Sequence, residues 1–444
     1  MLLGRASYDT FRSTRMFSGL DGLRALSVIA VLWQHTSGTP GPAFFSRGAF
    51  GVEFFFAISG FLITTLLLRE RDRDGRISLT GFYIRRTLRI FPLYYLVLLT
   101  YIVLTLGFTS DTAQGREFIA NIAAFATYTS NWFVDLSSGQ GVTFYFAWSL
   151  ATEEQFYLFW PPLLVAALLV ASLVGGATRA RGSHKRPAGT RVAVWHAVLP
   201  LTLLAAGIVI NQISLAALSQ LGGKSGGGPL IITILASLSL PILLGSAAAI
   251  LLHRRRVYEA VAPVMSALWC APVLAAATLA SLAWDTPKQL TQVCMVLLVV
   301  SICLTERTLL HPVLRWGPLA YVGRISYGIY LLHMLCANAL RPAFGERFSI
   351  PLFLATTVLV VGVAGISFRW FETPIVQLAR RLSKRVQNRR ATRPDQRGHK
   401  KQSRTPVATA QPVASNTSES SEGVLVRAPA RAGARAGVPA AARE

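Results

Sequence analysis

The sequence predicts an all-α fold, a polytopic membrane bundle of about ten transmembrane helices followed by a disordered C-terminal tail. Of the 444 residues, 52% are hydrophobic and only 14% are charged, and the mean hydropathy is positive. These proportions are far from those of an ordinary soluble domain. The alternating polarity that marks transmembrane β-strands is missing from the sequence, so a helical membrane protein is the class that fits.

Apolar runs long enough to cross a bilayer recur along most of the chain. In chain order we predict spans at residues 18–38, 49–68, 84–107, 147–173, 192–213, 229–252, 259–283, 289–305, 318–340 and 349–371. The first run is not a cleavable signal peptide, because Asp21, Arg24 and His35 interrupt it and no small-residue cleavage site follows. We therefore interpret it as a retained helix that opens a membrane domain at residues 17–375.

A further apolar segment, residues 118–134, is shorter and is interrupted by polar residues. Counting it as a span would place the arginine-rich loop after Val174 outside the cell, against the preference of Lys and Arg for the cytoplasmic side. We expect this segment to be a re-entrant or interfacial piece on the outer side, packed against protein.

The positions of Lys and Arg in the loops predict the orientation of the chain. Cations accumulate before the first predicted span, after the second, between the fourth and fifth, and after the sixth: Arg5, Arg12, Arg15, Arg69, Arg71, Arg73, Arg76, Arg179, Arg181, Lys185, Arg186, Arg191, Arg254, Arg255 and Arg256. The opposite loops hold few cations. We therefore expect a multi-pass protein of the plasma membrane, with both termini in the cytoplasm and residues 1–16 as a short cytoplasmic segment.

The C-terminal residues 382–444 are rich in Arg, Ala, Ser, Thr and Pro, a composition that predicts a disordered basic tail. The formal net charge is +24, and most of the excess lies in this tail and in the cytoplasmic loops. Anionic lipid of the inner leaflet explains that distribution, so we expect membrane lipid and no nucleic acid as a partner. The cysteines predict neither a disulfide framework nor a zinc site, because they lie in or beside apolar spans without CxxC spacing: Cys270, Cys294, Cys303 and Cys336.

The first predicted span carries two ionisable residues, Arg24 and His35. In an α-helix they share one face, roughly 16 Å apart along the axis. The hydrocarbon core is about 30 Å thick, so at least one of them lies inside it unless its side chain reaches the interface. Such groups usually face protein or a water-filled cavity, although helix-end histidines and snorkelling arginines without a function are common. The orientation predicts Arg24 toward the inner side and His35 toward the outer side.

A second polar set lies in the segment FYIRRTLRIFPLYY, at the cytoplasmic entrance of the third span. Arg86 and Arg89 are neighbours on one helix face, a geometry that can hold a phosphate between two guanidinium groups. The alternative is anchoring by the positive-inside preference, without a ligand.

A third set lies in the segment WSLATEEQFYLFWP, at the outer start of the fourth span. Ser149, Glu153 and Tyr157 line one face, and Glu154 points about 100° away from it. We expect Glu153 at the depth of His35, where a carboxylate would orient the ring and raise its basicity. The alternative is that these carboxylates only cap the helix. In the ninth span, ISYGIYLLH adds Tyr330 and His333.

Taken in order, these segments resemble acyltransferase family 3, integral-membrane O-acyltransferases that modify surface glycans and some secreted metabolites. The resemblance covers roughly residues 17–375 and runs through GLDGLRALSVIAVLWQH, GVEFFFAISGFLI, FYIRRTLRIFPLYY, WSLATEEQFYLFWP, GRISYGIYLLH and SFRWFETP. The family's Arg-x10-His element falls on Arg24 and His35, its Arg-x-x-Arg element on Arg86 and Arg89, and its Trp-Ser-Leu-x-x-Glu-Glu element on Trp148 to Glu154. Some members carry a soluble esterase-like domain after the last span, which we do not expect in the low-complexity tail.

The resemblance implies acyl-CoA as a donor substrate, with no tightly bound cofactor and no metal, and an acetyl group as the group transferred. It implies a hydroxyl of a glycan or a glycosylated metabolite as the acceptor. Arg86, Arg89 and Arg24 would then hold the donor. His35 would be the general base, and Glu153 would orient or charge-stabilise its ring. The secondary candidates are Ser149, Trp148, Glu154 and Tyr330, with His333 as the reserve base.

Three alternatives stay open at this point. A covalent acyl-histidine would be a second route for the same transfer. A transporter or a lipid-linked glycan flippase would also carry buried Arg, Glu and His, although its two repeated halves with interrupted helices are not visible. In a membrane scaffold, the polar residues would only hold helices together. CoA release by the purified protein would separate the enzyme from the other two.

Overall fold

The structure, a computed structural model, describes residues 7–14, 17–37, 47–134, 143–180, 188–221, 229–284, 286–344 and 349–391. All regular secondary structure in these ranges is helical, which confirms the predicted all-α fold. The helices are α1 Tyr8–Ser13, α2 Leu20–Thr36, α3 Phe50–Asp74, α4 Leu79–Leu104, α5 Ala113–Ala120, α6 Ile122–Ala126, α7 Ser130–Phe133, α8 Ala147–Ala180, α9 Ala188–Gln220, α10 Leu230–Ala236, α11 Leu240–Leu252, α12 Arg255–Met265, α13 Cys270–Ala283, α14 Lys288–Leu304, α15 His311–Leu314, α16 Gly317–Arg324, α17 Ser326–Phe344, α18 Ile350–Ser367 and α19 Thr373–Ala391. Two π-helical turns, Thr105–Thr109 and Phe368–Glu372, follow α4 and α18.

Within the described ranges, five helices are long and apolar enough to cross a membrane: Phe50–Asp74, Leu79–Thr109, Ala147–Val174, Val194–Gln220 and Ile350–Val386. Two bent pairs, α10 with α11 and α12 with α13, raise the number to seven if each pair is one span. The predicted count of about ten is therefore not confirmed. The helices α2 and α14 have 17 residues each, fewer than the about 20 that span a bilayer, and Ile325 breaks the predicted ninth span into α16 and α17.

The apolar segment at 118–134 does not form a spanning helix. It is divided among the end of α5, α6 and α7, of which the last two have five and four residues. Hydrogen bonds fasten the segment to long helices: Tyr94 Oη donates to the carbonyl of Phe125 at 2.7 Å, and Gln155 Nε2 donates to the carbonyl of Tyr128 at 2.8 Å. These bonds satisfy backbone carbonyls that a broken helix leaves open.

Small residues allow α3 and α11 to pack closely. A Cβ atom added at Gly60 would lie 2.1 Å from the carbonyl oxygen of Ile242, and one added at Gly245 would lie 2.5 Å from that of Ala57. The hydroxyl of Ser246 donates to the carbonyl of Gly60 at 3.2 Å across the same contact. The two helices therefore form a tight pair that supports one wall of the site described below.

The C-terminal boundary differs from the prediction. Helix α19 continues to Ala391 and packs against α4, where Ala379 and Ser383 are buried. The predicted start of the tail at residue 382 thus lies inside a helix. The remainder of the predicted tail, from residue 392, lies outside the described residues, as do Arg5, Arg15, Arg181, Lys185 and Arg186. The four cysteines are free.

Candidate active site

A polar cavity lies between α2, α3, α4, α8, α16 and α17. Four arginines and two carboxylates are among the residues that line it: Arg24, Arg86, Arg89, Arg324, Glu153 and Glu154. We call it the arginine cavity. Its volume is about 90 Å³. The structure thus brings together the three arginines that the sequence assigns to donor binding.

The arginines of this cavity have few protein partners. Arg24 pairs with Asp21 at 3.4 Å, on its own helix. The guanidinium of Arg86 lies 4.5 Å from the centre of the Tyr157 ring. Neither Arg86 nor Arg89 makes a hydrogen bond or an ion pair within the described part of the chain. Guanidinium groups without such partners can bind an anion that enters the cavity.

Glu153 lies in the arginine cavity and not beside His35. Its carboxylate accepts short hydrogen bonds from the hydroxyls of Ser59 and Tyr157, and Tyr157 Oη also approaches Ser59 Oγ at 2.9 Å. No contact between Glu153 and His35 occurs among the described residues, so the pair expected from their similar depth is not formed. The position of Glu153 along α8 predicts its depth in the membrane but not the neighbouring helix that its side chain meets. The face of α8 that carries Glu153 is turned toward α3.

The candidate side chains Ser149 and Tyr330 join the arginine cavity to a buried histidine pair. Their hydroxyl oxygens are 2.6 Å apart, and both residues line the cavity. The Tyr330 ring lies 5.5 Å from the ring of His333, one turn further along α17. Trp148, in contrast, does not line the arginine cavity; its ring packs edge-on against Phe56 at 6.2 Å.

His35 and His333 form the pair. Nδ1 of His35 lies 3.2 Å from Nε2 of His333, and Nδ1 of His333 lies 2.5 Å from the carbonyl oxygen of Tyr330. A carbonyl can only accept, so Nδ1 of His333 carries hydrogen and its Nε2 is the acceptor in a neutral ring. Nδ1 of His35 is then the donor between the rings, which leaves a lone pair on Nε2 of His35.

A second cavity, of about 380 Å³, is lined in part by residues that contact His35 or His333, although neither histidine lines it. Tyr145 lines it and meets the His35 ring edge-on at 5.8 Å. Arg341 also lines it, donating to Asn338 Oδ1 at 2.6 Å and to the His35 carbonyl at 3.4 Å. The buried hydroxyl of Tyr101, another lining residue, has no hydrogen-bond partner within the described ranges.

Sequence reasoning did not identify this second cavity. A signal was available, because Asn338 and Arg341 follow His333 on the same helix and are polar within an apolar run. Helix α17 reaches both cavities, because Ser326 lines the first and Arg341 lines the second. Helix α2 lines the first with Arg24, and its His35 carbonyl accepts from Arg341. No group of His, Cys, Asp or Glu among the described residues could hold a metal ion.

Comparisons with known proteins agree on one family. The model of acyltransferase family 3, described as an acyltransferase domain, matches residues 17–369. An inferred O-acetyltransferase of Staphylococcus aureus (strain COL) is 38% identical over 168 residues, 36% of this chain and 27% of that protein. An inferred peptidoglycan O-acetyltransferase of Bacillus subtilis (strain 168) is 27% identical over 403 residues, 85% of this chain and 58% of that protein. The peptidoglycan O-acetyltransferase OatA of Listeria monocytogenes (strain EGD-e) is 35% identical over 164 residues, 35% of this chain and 25% of that protein.

In each of these comparisons, the matched part is less than two thirds of the relative's own length. No solved structure matches the chain.

Proposed function

Because the chain belongs to acyltransferase family 3, we propose that it transfers an acetyl group from acyl-CoA to a hydroxyl of a glycan or of a glycosylated metabolite. It would act in the plasma membrane with both termini in the cytoplasm. The observation that carries the proposal is the connection of the arginine cavity, through Ser149 and Tyr330, to the pair of His35 and His333. A candidate anion-binding site and a candidate proton acceptor would thus lie on either side of Tyr330, whose hydroxyl contacts Ser149 and whose ring contacts the His333 ring.

The donor would enter at the arginine cavity. CoA carries several phosphates, and Arg86 and Arg89 are guanidinium groups without an ion pair among the described residues. Glu153 would act here as a positioning residue, since it fixes Tyr157, which lies against Arg86.

His35 would be the general base. Its Nε2 lone pair would take the proton of the acceptor hydroxyl while the hydroxyl oxygen attacks the thioester carbonyl carbon. The tetrahedral intermediate would then lose the CoA thiolate, which would take the proton back from Nε2. His333 would hold the ring in the required tautomer by accepting from Nδ1, a role that the sequence prediction gave to Glu153.

The acceptor would reach His35 from the second cavity. The guanidinium of Arg341, the amide of Asn338 and the ring of Tyr145 supply donors, an acceptor and an aromatic face, groups that suit a polar, hydroxyl-rich molecule. The names of two relatives specify peptidoglycan, a glycan, as what those proteins modify. The acceptor of this chain is accordingly expected to be a carbohydrate.

Release of CoA tests the proposal. The protein is purified in detergent and incubated with acetyl-CoA and an oligosaccharide of N-acetylglucosamine, and free thiol is measured over time. We expect continuous thiol release that the oligosaccharide accelerates. A transporter, a flippase or a scaffold would release no CoA above the rate in empty micelles, and that result would contradict the proposal.

A further inference from the structure

A strongly basic cavity lies apart from the proposed active site. It is enclosed by α1, the C-terminal end of α3, and helices α9, α11 and α12, and it shares no lining residue with the arginine cavity or the second cavity. Its volume is about 510 Å³. Five arginines line it and face a single carboxylate, that of Asp72: Arg12, Arg71, Arg254, Arg255 and Arg256. We call it the basic cavity.

The positive charge of this cavity is not balanced by the protein around it. Asp72 already accepts from three cationic or titratable groups: Arg12 at 2.6 Å, His253 at 2.6 Å and Arg71 at 3.3 Å. Asp72 therefore compensates little of the positive charge of the remaining arginines. Arg255 pairs with Glu259 at 2.7 Å, whereas Arg254 and Arg256 have no ion pair within the described part of the chain. An anion in the cavity would therefore meet several uncompensated guanidinium groups.

Two buried polar atoms at the basic cavity lack a partner. The His253 side chain is 8% exposed, and its Nδ1 makes no hydrogen bond among the described residues, nor does Nη1 of Arg71. Buried polar atoms in folded proteins are nearly always paired, because an unpaired one loses its hydration without compensation. Arg71 Nη1 could donate to a phosphate oxygen, and Nδ1 of a neutral His253 that donates from Nε2 to Asp72 could accept from a hydroxyl. The complementary ligand thus carries both a phosphate and hydroxyl groups.

The other wall of the cavity is aliphatic, formed by Leu68, Val194, Ala197 and Ile250. Val194 remains 45% exposed. The cavity also lies at the ends of two candidate spans, the end of Phe50–Asp74 and the start of Val194–Gln220. The headgroups of a bilayer lie at that level, whichever way the chain is oriented. A ligand with an anionic head and an apolar body would match both walls.

We propose that the basic cavity binds the headgroup of an anionic phospholipid, its phosphate on Arg71, Arg254 and Arg256. Nucleotide phosphates share this chemistry, but the aliphatic wall and the location at the headgroup level favour the lipid. The site does not depend on the acyl transfer proposed above, because it has no residue in common with that machinery.

The experiment compares lipid retention by native mass spectrometry. The full chain is reconstituted in nanodiscs of phosphatidylglycerol and phosphatidylcholine in equal amounts, released into the gas phase, and scored for the lipid that stays bound. We expect the wild type to retain phosphatidylglycerol in preference to phosphatidylcholine. Arg254→Gln with Arg256→Gln should reduce this retention about tenfold, since charge-assisted bonds are lost. The single variants are measured alongside, in case the double variant does not fold.

Arg315→Gln is the matched control, because Arg315 pairs with Glu306 at 3.7 Å outside the basic cavity. It should retain phosphatidylglycerol like the wild type. Equal retention of the two lipids by the wild type would overturn the proposal. Undiminished retention in the folded single and double variants would do the same. In a further measurement, CoA is added to the wild type and to Arg86→Ala. If CoA displaces the lipid from both proteins, the basic cavity binds nucleotide phosphates and the proposal is overturned.

Discussion

At the scale of single residues, hydrogen positions on two rings determine what His35 can do. The carbonyl of Tyr330 requires a hydrogen on Nδ1 of His333, so Nε2 of a neutral His333 is an acceptor. Nδ1 of His35, 3.2 Å from that Nε2, must then carry a hydrogen. The proposed base, His35, would therefore depend on a residue that lies about 300 positions away in the chain. The sequence could indicate His35 and His333 as candidates, but it could not indicate that one orients the other.

His333→Gln should lower kcat by about 10-fold or more while the KM for acetyl-CoA changes little, because the His35 ring loses the partner that fixes its tautomer. The reaction is followed by thiol release with the same oligosaccharide acceptor. His311→Gln is the matched control, a buried histidine that contacts Thr308 at 2.8 Å away from both cavities. Equal loss of kcat in the two variants would mean that His333 has only a structural role.

Arg86→Ala and Arg89→Ala should each raise the KM for acetyl-CoA about tenfold, since a charge-assisted hydrogen bond contributes about 1.5–3 kcal/mol. Isothermal titration with CoA should show the same weakening. The neighbouring Arg85 is the control, because it pairs with Glu70 at 3.3 Å and does not line the arginine cavity. If Arg85→Ala weakened donor binding as much as Arg86→Ala and Arg89→Ala, a general loss of positive charge would explain the effect.

At the scale of helices, the sequence predicted which residues share a helix face better than it predicted which neighbouring helix that face contacts. The 3.6-residue period placed Ser149, Glu153 and Tyr157 on one face of α8, and they share that face in the structure, where all three line the arginine cavity. The period could not tell which neighbour the face meets. That depends on how α8 packs against α3, and therefore on side-chain volumes distant in sequence.

The close pair of α3 and α11 gives a stability prediction. Gly60→Ala should reduce the free energy of unfolding by about 1–3 kcal/mol, because the added Cβ would lie 2.1 Å from the carbonyl oxygen of Ile242. Thermal unfolding in detergent measures the change. Gly107→Ala is the control, since nothing lies within 4 Å of its added Cβ. A melting temperature of Gly60→Ala equal to that of the control would contradict the tight contact.

At the scale of the whole molecule, composition sufficed for the fold class, and the order of the motifs sufficed for the family. The number of spans was harder to predict, because an apolar stretch of sequence is as compatible with a helix buried inside the protein as with a helix that crosses the lipid. Helix α2 illustrates this: Ala25 and Val28 are fully buried inside the protein, whereas Leu26 on the same helix is 47% exposed. The bends between α10 and α11 and between α12 and α13, of 50° and 78°, lie near Pro241 and Pro263, but a proline does not by itself give the angle of a bend.

The orientation of the molecule remains a prediction from loop charge. Single cysteines at Arg76 and Asp111, two exposed positions near opposite ends of α4, are introduced after the native four are replaced by serine. An impermeant thiol reagent added outside intact cells should label the cysteine at 111 and spare the one at 76. The reverse pattern would place the arginine cavity on the outer side and remove its access to cytoplasmic CoA.

The most direct test of the account is the turnover of His35→Ala. If Nε2 of His35 is the general base, this change should lower the turnover of thiol release about 10²- to 10⁴-fold, the usual contribution of general base catalysis. The affinity for CoA and the melting temperature should stay close to those of the wild type, because the arginines proposed to bind the donor line the arginine cavity and His35 does not. Wild-type turnover of His35→Ala at an equal amount of folded protein would contradict the account and place the base elsewhere.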